Sequence, residues 1–332
     1  MQEETTRSRW LLLLEPALVT LLALVVSAGL GVVGLFAVAF LIEPDPIASL
    51  VGIERKLEVR LIPADAETPP ELEATRLSIT STFDSVDVIV VQEDGGEWRL
   101  LAWVQDDPTG DDLAAITGGL TDLGWDNVTP LMTTQQRLHG TLENPHRMRS
   151  YIPPAMTGQA FMFILIAWIM VRWRKPNALG IPVRPAAVVS WGVGAALIAF
   201  LGSTVVGGGI HLAGLEVQEQ PWIRALMADS SALLALTPWI VVLGPISEEV
   251  FFRGYVFRRL FSRSGPAAAY LASALLFAVV HWHPVGFPMY AIIGLVFCWV
   301  YRKTGSLWAP ILGHVTYNAL VVGIPLMASP TP

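Results

Sequence analysis

Cysteine and charge are both scarce in this sequence. The chain of 332 residues holds one cysteine, Cys298, which excludes an internal disulfide and any cysteine-rich zinc module. Charged residues make up 15% of the chain, whereas soluble domains carry about 25%. Acids outnumber bases by 28 to 21, so a nucleic acid is not an expected partner. Hydrophobic residues make up 53% and form runs too long for a globular core, which excludes a soluble enzyme and predicts a membrane protein.

The remaining charge is unevenly placed. Residues 43–155 contain 20 acids and 8 bases, a net of −12, and the rest of the chain has a net of +5. Predicted strands alternate apolar and polar side chains. They are Leu57–Ile62, Arg76–Thr82, Val86–Gln92 and, after an Asp94-Gly95-Gly96 turn, Trp98–Val104. A helix is predicted from Asp111 to about Leu123, with acids at its positive end. This segment is therefore interpreted as a plain α+β insert.

Long apolar runs flank the insert. Trp10–Ile42 exceeds the roughly 20 residues that a spanning helix needs, and is interpreted as a retained anchor rather than a cleaved signal. Six more spans are predicted: Met156–Val171, Pro185–Gly207, Ser231–Phe261, Pro266–Trp282, Gly286–Tyr301 and Ser306–Met327. An eighth span near 210–227 would break the alternation of the positive clusters. Seven spans are therefore preferred.

The basic clusters set the expected orientation. Seven spans place Arg7 and Arg9, the bases of 172–184, those of 258–263, and Arg302-Lys303 on one side. The positive-inside rule makes that side cytoplasmic and residues 43–155 extracytoplasmic, in a plasma membrane. The predicted fold is mainly α, a polytopic membrane helix bundle of about seven to eight spans with a small extracytoplasmic α+β insert. Its predicted domains are 1–42 (anchor), 43–155 (acidic domain) and 156–332 (intramembrane domain).

Three of the predicted spans carry ionisable side chains, which are costly in lipid and indicate a functional site. The first segment holds Glu248, Glu249 and Arg253, the second His281, and the third His314 and Asn318. With about 1.5 Å of rise per residue, these segments place their polar groups roughly 12–22 Å below the cytoplasmic markers, inside a core of about 30 Å. One shared polar cavity is a simpler explanation than three separate accidents.

Helical spacing assigns partners within each segment. Glu249 and Arg253 are four residues apart and favour an ion pair, while Glu248 is rotated by about 100° and faces elsewhere. A structural ion pair without chemistry is the alternative for Glu249–Arg253. Pro245 is predicted to start this helix and Ser247 to cap it. His314 and Asn318 share a helix face, and a packing hydrogen bond is their alternative.

The histidines of the second segment differ in context. Phe277 shares the helix face of His281, one turn earlier. His283 precedes Pro284 and is interpreted as a turn or interface residue. Cys298 has no histidine at helical spacing and is interpreted as a buried packing residue.

The ordered motifs Glu-Glu-x-x-x-Arg, Phe-x-x-x-His and His-x-x-x-Asn resemble the CPBP family, which comprises CAAX prenyl proteases and bacteriocin-processing Abi proteins. The similarity covers about Pro185–Met327 and includes Gly305–His314. The resemblance implies an intramembrane protease, whereas the 43–155 insert departs from the usual family pattern. Motifs of the site-2, aspartyl and rhomboid types are missing from the sequence.

Peptide hydrolysis needs an activated water and a stabilised oxyanion. Glu248 is the predicted general base, with His281 orienting the water and shuttling a proton. His314 and Asn318 are the predicted oxyanion donors. Glu249, Arg253 and Phe277 are supporting residues, of which Glu249 and Arg253 are expected to hold Glu248 in place. Zinc held by Glu248, His281 and His314 is the alternative mechanism, since two His and one Glu match a known catalytic set.

The expected partners are a lipid bilayer and a membrane-associated protein or peptide substrate. A non-catalytic sensor, immunity or scaffold protein with a protease-like fold is the alternative function. A proton-coupled transporter fits less well because no internal repeat is evident.

Overall fold

A computed structural model gives the fold of the protein. It describes residues 14–26, 29, 33, 39, 41, 51–65, 68–83, 87–92, 97–104, 108–172, 184–215, 223, 226 and 229–328. The chain divides into two compact units. The helical unit comprises 1–35, 152–220 and 233–332, and the sheet unit comprises 36–151 and 221–232.

The sheet unit contains a four-stranded antiparallel sheet in the order β2-β3-β1-β4. Its elements are β1 (Ile53–Pro63), α2 (Leu72–Thr80), β2 (Asp87–Gln92), β3 (Trp98–Val104), α3 (Gly110–Asp122), β4 (Trp125–Gln136) and α4 (Arg137–Glu143); α1 (Leu14–Val26) precedes them in the helical unit. The β1–α2–β2–β3–α3–β4 succession with this strand order is the ferredoxin-like arrangement. Leu57, Val59 and Leu61 of β1 alternate into its core with Ile116 and Leu120 of α3.

The prediction for the helix near Asp111 is confirmed. Helix α3 begins after Thr109, whose hydroxyl accepts from the Asp112 N–H while the Thr109 N–H donates back to the Asp112 carboxylate at 2.7 Å. The Thr109 hydroxyl also donates to this carboxylate, and these bonds hold the pKa of Asp112 below its ordinary value. This reciprocal arrangement is a capping box, which fixes the start of the helix.

The strand predicted at Arg76–Thr82 is wrong. These residues belong to helix α2, which buries Thr75 and Ile79, four residues apart, and leaves Leu77 58% exposed. The Trp125 indole N–H donates to the Thr75 hydroxyl at 2.9 Å, so this helix is tied to β4. The turn predicted at 94–96 lies outside the described residues.

The helical unit has elements that are long and apolar. They are α5 (Pro145–Arg172, which begins in the sheet unit), α6 (Pro185–Leu212), α7 (Ser230–Thr237), π1 (Pro238–Leu243), α8 (Gly244–Glu249), π2 (Val250–Phe257), α9 (Arg258–Val279), α10 (Phe287–Thr304) and α11 (Trp308–Ala328). The run from α7 through π2 is one continuous helical segment. Helix α9 is interrupted at Gly265, whose φ of +83° suits glycine, immediately before Pro266. The helix start predicted at Pro245 with a Ser247 cap is therefore wrong, and the Ser247 hydroxyl instead donates to the Gly244 carbonyl at 2.8 Å.

Three described helices are long and apolar enough to cross a membrane, namely Pro145–Val171, Pro185–Leu212 and Ser231–Val279. Shorter apolar helices are Leu14–Val26 and Trp308–Ile324. The seven-span count stays a prediction. Within the proposed anchor Trp10–Ile42, residues 10–13 and much of 27–42 lie outside the described residues, as do Arg7, Arg9 and most of the region near 210–227.

Helix α1 packs onto the helical core. Ala23 is fully buried in that core, and Glu15 accepts hydrogen bonds from Arg259 and Arg263 at the start of α9. These pairs join an acid of the amino-terminal helix to two arginines 244 and 248 residues later. The amino-terminal helix is thus an integral part of the helical unit.

Helices α9 and α10 approach closely at Gly294. A Cβ atom added there would lie 2.9 Å from the Ala274 Cα atom, a distance that backbone atoms do not tolerate. The absence of a side chain therefore lets the two helices pack backbone to backbone. It also leaves the Gly294 carbonyl accessible to a side chain from π2, where the candidate site is built.

Candidate active site

A fully buried ion pair forms the base of the site. Arg253 on π2 donates from Nη1 to Glu249 Oε1 at 2.8 Å and from Nη2 to the Gly294 carbonyl at 3.0 Å. Its guanidinium lies 4.7 Å from the Phe277 ring centre and 5.5 Å from that of Phe297. Burial of both charges is tolerable because each is paired and the cation also faces two aromatic rings.

His314 of α11 also contacts this ion pair. Its Nδ1 lies 2.9 Å from Glu249 Oε1, and its ring stacks on Phe297 with centres 4.9 Å apart. A carboxylate only accepts hydrogen bonds, so this contact assigns a proton to Nδ1. The other ring nitrogen, Nε2, lies 4.0 Å from Glu248 Oε2. Glu249 therefore orients His314 toward Glu248.

Glu248 has a different environment from its neighbour. Its side chain is 20% exposed, whereas that of Glu249 is fully buried. Among the described residues, no hydrogen-bond partner reaches its buried Oε2 atom. Consecutive residues of a helix point in directions about 100° apart, so the paired carboxylate of Glu249 and the carboxylate of Glu248 face different sides of the helix.

His281 lies at the end of α9 and is held from two sides. Its Nδ1 is 2.7 Å from the Phe277 carbonyl, which assigns the Nδ1 proton and leaves a lone pair on Nε2. Its ring lies between Phe277, at 4.7 Å, and Tyr290 of α10, stacked at 4.1 Å. His281 is also within electrostatic range of Glu248, His314 and Arg253. The histidines of the Phe-x-x-x-His and His-x-x-x-Asn motifs therefore lie near the Glu-Glu-x-x-x-Arg motif.

Asn318 lies one turn beyond His314 but contacts a different element. Its side-chain amide donates to the Ile240 carbonyl of π1 at 2.8 Å. An amide group has two N–H bonds, so one donor is used in this contact. The bond ties α11 to the helical segment that carries the two glutamates.

Two features of the site escaped the sequence analysis. Helix α8, which carries Glu248 and Glu249, is flanked by the π-helical segments π1 and π2, a geometry frequent at functional sites. Trp282, between the two histidines of the turn, has φ of +51°, unusual for a bulky residue. His283 is buried in this turn and accepts from the Gly286 N–H at 2.9 Å, in agreement with its predicted turn position. The stacking of Tyr290 on His281 could not be predicted from the sequence, because no local pattern links the two residues.

Within the described part of the chain, no group of three His, Cys, Asp or Glu side chains lies in a metal-binding arrangement. The zinc alternative for Glu248, His281 and His314 stays a prediction.

Comparison with known proteins identifies the segment that carries the site. Residues 230–320 match the model of the type II CAAX prenyl endopeptidase Rce1-like family. This segment is therefore similar to the CAAX protease (CPBP) family. Every predicted site residue, from Glu248 to Asn318, falls within the matched segment, and the sheet of residues 53–136 falls outside it.

Three similar proteins extend the comparison. Membrane peptidase YdiL of Bacillus subtilis (strain 168) is 33% identical over 81 residues, 24% of this chain and 33% of YdiL. The membrane-embedded CAAX protease MroQ of Staphylococcus aureus (strain USA300) is 31% identical over 90 residues, 25% of this chain and 36% of MroQ. An uncharacterised 24.3 kDa protein of Escherichia coli is 28% identical over 173 residues, 49% of this chain and 76% of that protein. The chain thus spans about a third of the length of the two named proteases.

Proposed function

We propose that the protein is an intramembrane endopeptidase that hydrolyses peptide bonds of membrane-associated proteins or peptides. One observation supports this most directly. Glu248 presents an unbonded, buried carboxylate oxygen 4.0 Å from the Nε2 atom of a histidine whose other nitrogen is fixed by Glu249. A carboxylate beside an oriented imidazole is an arrangement suited to proton transfer.

In the proposed reaction, Glu248 removes a proton from water as the water oxygen attacks the scissile carbonyl. His281, whose Nδ1 proton is directed to the Phe277 carbonyl, accepts a hydrogen bond at Nε2 from the same water and helps to aim it. The tetrahedral intermediate then collapses, and the proton held by Glu248 passes to the leaving amine. The hydroxyl of the water ends in the carboxylic acid product and its remaining proton ends in the amine product, so all atoms of the water are accounted for.

The developing oxyanion needs donors. Asn318 has one amide N–H beyond that used by Ile240. His314 donates from Nε2 only when it carries both ring protons, since its Nδ1 proton is directed to the Glu249 carboxylate. We therefore propose that Glu249 and Arg253 hold His314 in position, whereas the sequence predicted that they hold Glu248. Loss of one oxyanion donor typically costs about 2.7–4 kcal/mol in the transition state.

Tyr290 positions His281 in this scheme, and two substitutions separate its contributions. Tyr290→Phe keeps the ring that stacks at 4.1 Å and is expected to keep kcat within about threefold. Tyr290→Leu removes the stack, and we expect kcat to fall about tenfold with KM unchanged, since small displacements of a catalytic group are costly. A loss in KM alone, or equal losses in both variants, would contradict a positioning role.

Substrate and orientation extend the proposal. The positive clusters support a cytoplasmic amino terminus and an extracytoplasmic position for residues 43–155 in the plasma membrane. Labelling of a cysteine placed on α3 by a membrane-impermeant reagent from the cytoplasmic side would overturn this orientation. The substrate class is a membrane-anchored peptide or protein segment that enters the helical unit in extended form.

The test compares membranes that contain the wild-type protein with membranes that contain Glu248→Gln at equal amount. New protein amino termini, identified by amino-terminal labelling and mass spectrometry, are expected only with the wild type. If the two samples give the same termini, a non-catalytic sensor or scaffold role replaces the proposed activity. If both lack cleavage, purified protein with a library of membrane-anchored peptides provides the deciding comparison.

A further inference from the structure

The turn that joins α9 to α10 holds a tryptophan in a strained conformation. Trp282 has φ of +51°, in the left-handed region that is unfavourable for a bulky side chain. Helix α9 ends at Val279, and left-handed residues that follow a helix end are ordinarily glycine or asparagine. Tryptophan at this position therefore carries a conformational cost that glycine would avoid.

Contacts on both sides of Trp282 hold the turn in place. The Trp282 N–H donates to the Val279 carbonyl at 3.1 Å. His283 is buried, and its Nδ1 accepts from the Gly286 N–H at 2.9 Å. A Cβ atom added at Gly286 would lie 2.8 Å from His283 Nδ1, so any other residue there would displace the histidine ring. The turn is thus a defined structure that keeps Trp282 in its strained conformation.

Burial does not explain the tryptophan. Trp282 is 72% exposed, and Val285 in the same turn is 36% exposed, so the indole gains little from the hydrophobic effect within the described structure. The residue directly before it is His281, which is proposed to aim the attacking water. Consecutive Cα atoms lie about 3.8 Å apart, and an extended peptide advances about 3.3–3.6 Å per residue. A peptide bond positioned for cleavage at His281 therefore has its flanking side chains within reach of this turn.

We propose that Trp282 is a specificity residue, which contacts a large apolar side chain of the substrate within two positions of the scissile bond. This inference rests on the proposed peptidase function. An indole offers a large apolar surface and has only two side-chain torsions to order. The fixed backbone of the turn places that surface before the substrate arrives, which lowers the cost of binding.

An interfacial anchor is the alternative role for this residue. Trp282 follows the candidate membrane span Ser231–Val279, and tryptophan is enriched where such spans end. An anchor would affect the cleavage of every substrate alike, whereas a specificity residue changes the ratio between substrates. The ratio is therefore the quantity to measure.

The probe is a library of membrane-anchored peptides whose six central positions carry either leucine or alanine. Cleavage in proteoliposomes is followed by mass spectrometry, and the kcat/KM ratio of leucine-rich to alanine-rich peptides gives the preference. We expect Trp282→Ala to lower this preference at least fivefold, since one apolar contact contributes about tenfold or more to discrimination. The matched control is Trp308→Ala, which removes another exposed indole of the helical unit, and its preference is expected to stay within twofold of wild type. An unchanged preference in Trp282→Ala, or an equal change in Trp308→Ala, would overturn the proposal.

A glycine variant separates the side chain from the strain. Alanine keeps the Cβ atom and with it the strained backbone, whereas glycine adopts this φ readily. We expect Trp282→Gly to melt at or above the temperature of Trp282→Ala and to lose the preference to the same extent. A wild-type preference in Trp282→Gly would assign the effect to strain and overturn the contact. If Trp282→Ala does not fold, Trp282→Gly provides the comparison with wild type.

Peptide binding separates this inference from the proposed reaction. Glu248→Gln protein in proteoliposomes is expected to bind leucine-rich peptides at least fivefold more strongly than alanine-rich ones, and Trp282→Ala in the same background is expected to lose this difference. If the wild type cleaves no peptide but the binding difference depends on Trp282, the proposed function fails and the specificity role stands. Equal binding of both peptide sets by Glu248→Gln protein, or a difference that survives Trp282→Ala, would overturn the specificity role.

Discussion

Replacement of Glu248 by Gln is expected to lower the rate of peptide cleavage about 10²–10⁴-fold, the usual contribution of a general base. Glutamine keeps the size of the side chain but cannot accept a proton from water at the site. Because Oε2 of Glu248 has no hydrogen bond in the described structure, the substitution removes no stabilising contact of that atom. The rate is measured in proteoliposomes with a membrane-anchored peptide, under conditions that allow a single turnover.

Thermal stability provides the control for this substitution. We expect the melting temperature of Glu248→Gln in detergent to stay within a few degrees of wild type, which separates lost chemistry from lost folding. Cleavage at the wild-type rate by a folded Glu248→Gln protein would remove Glu248 from the mechanism. The protein would then require a different general base. The proposed roles of His281 and His314 would also fail, because both are defined by the reaction that Glu248 starts.

Replacement of Arg253 by Met is expected to destabilise the helical unit by about 3–5 kcal/mol, because it leaves the buried Glu249 carboxylate without its cation. The change also removes the donor to the Gly294 carbonyl and the cation between Phe277 and Phe297. Thermal or denaturant unfolding in detergent measures the loss. The neighbouring-helix control is Lys303→Met, an exposed change for which we expect less than about 0.5 kcal/mol.

A second substitution tests the cause of that instability. In the Arg253→Met background, Glu249→Gln removes the uncompensated charge, and we expect it to recover part of the lost stability. In the wild-type background the same Glu249→Gln change is expected to destabilise. A stability of Arg253→Met within about 1 kcal/mol of wild type would show that the buried pair carries little energy. Simple additivity of the two changes would mean that the charges do not interact.

The sequence predicted which residues form the candidate site but could not assign their contacts. Ionisable groups in apolar helices are rare, so Glu248, His281 and His314 were visible from composition and spacing alone. The bond from Glu249 to His314 joins residues 65 positions apart, and helical periodicity carries no information about such a contact. The stack of Tyr290 on His281 likewise depends on how α9 and α10 pack at Gly294.

The errors in secondary structure have physical causes. Residues 76–82 alternate as a strand does, but Leu77 points outward from α2, so one of the apolar positions that suggested a strand is not part of the core. Strand β4 was not predicted because it contains Pro130 and many polar residues, both of which an edge strand tolerates. Pro245 suggested a helix start, yet π-helical turns accompany a helical segment that continues through this proline.

The most direct test of a shared catalytic centre is a double-mutant cycle between Glu248→Gln and His281→Gln, with single-turnover cleavage rates measured in proteoliposomes. Groups that act as one catalytic unit show strongly non-additive losses. The proposed mechanism predicts that the double variant is about as slow as the slower single variant, since both side chains act on the same attacking water. Losses that multiply in the double variant would contradict it, as would a single variant with the wild-type rate.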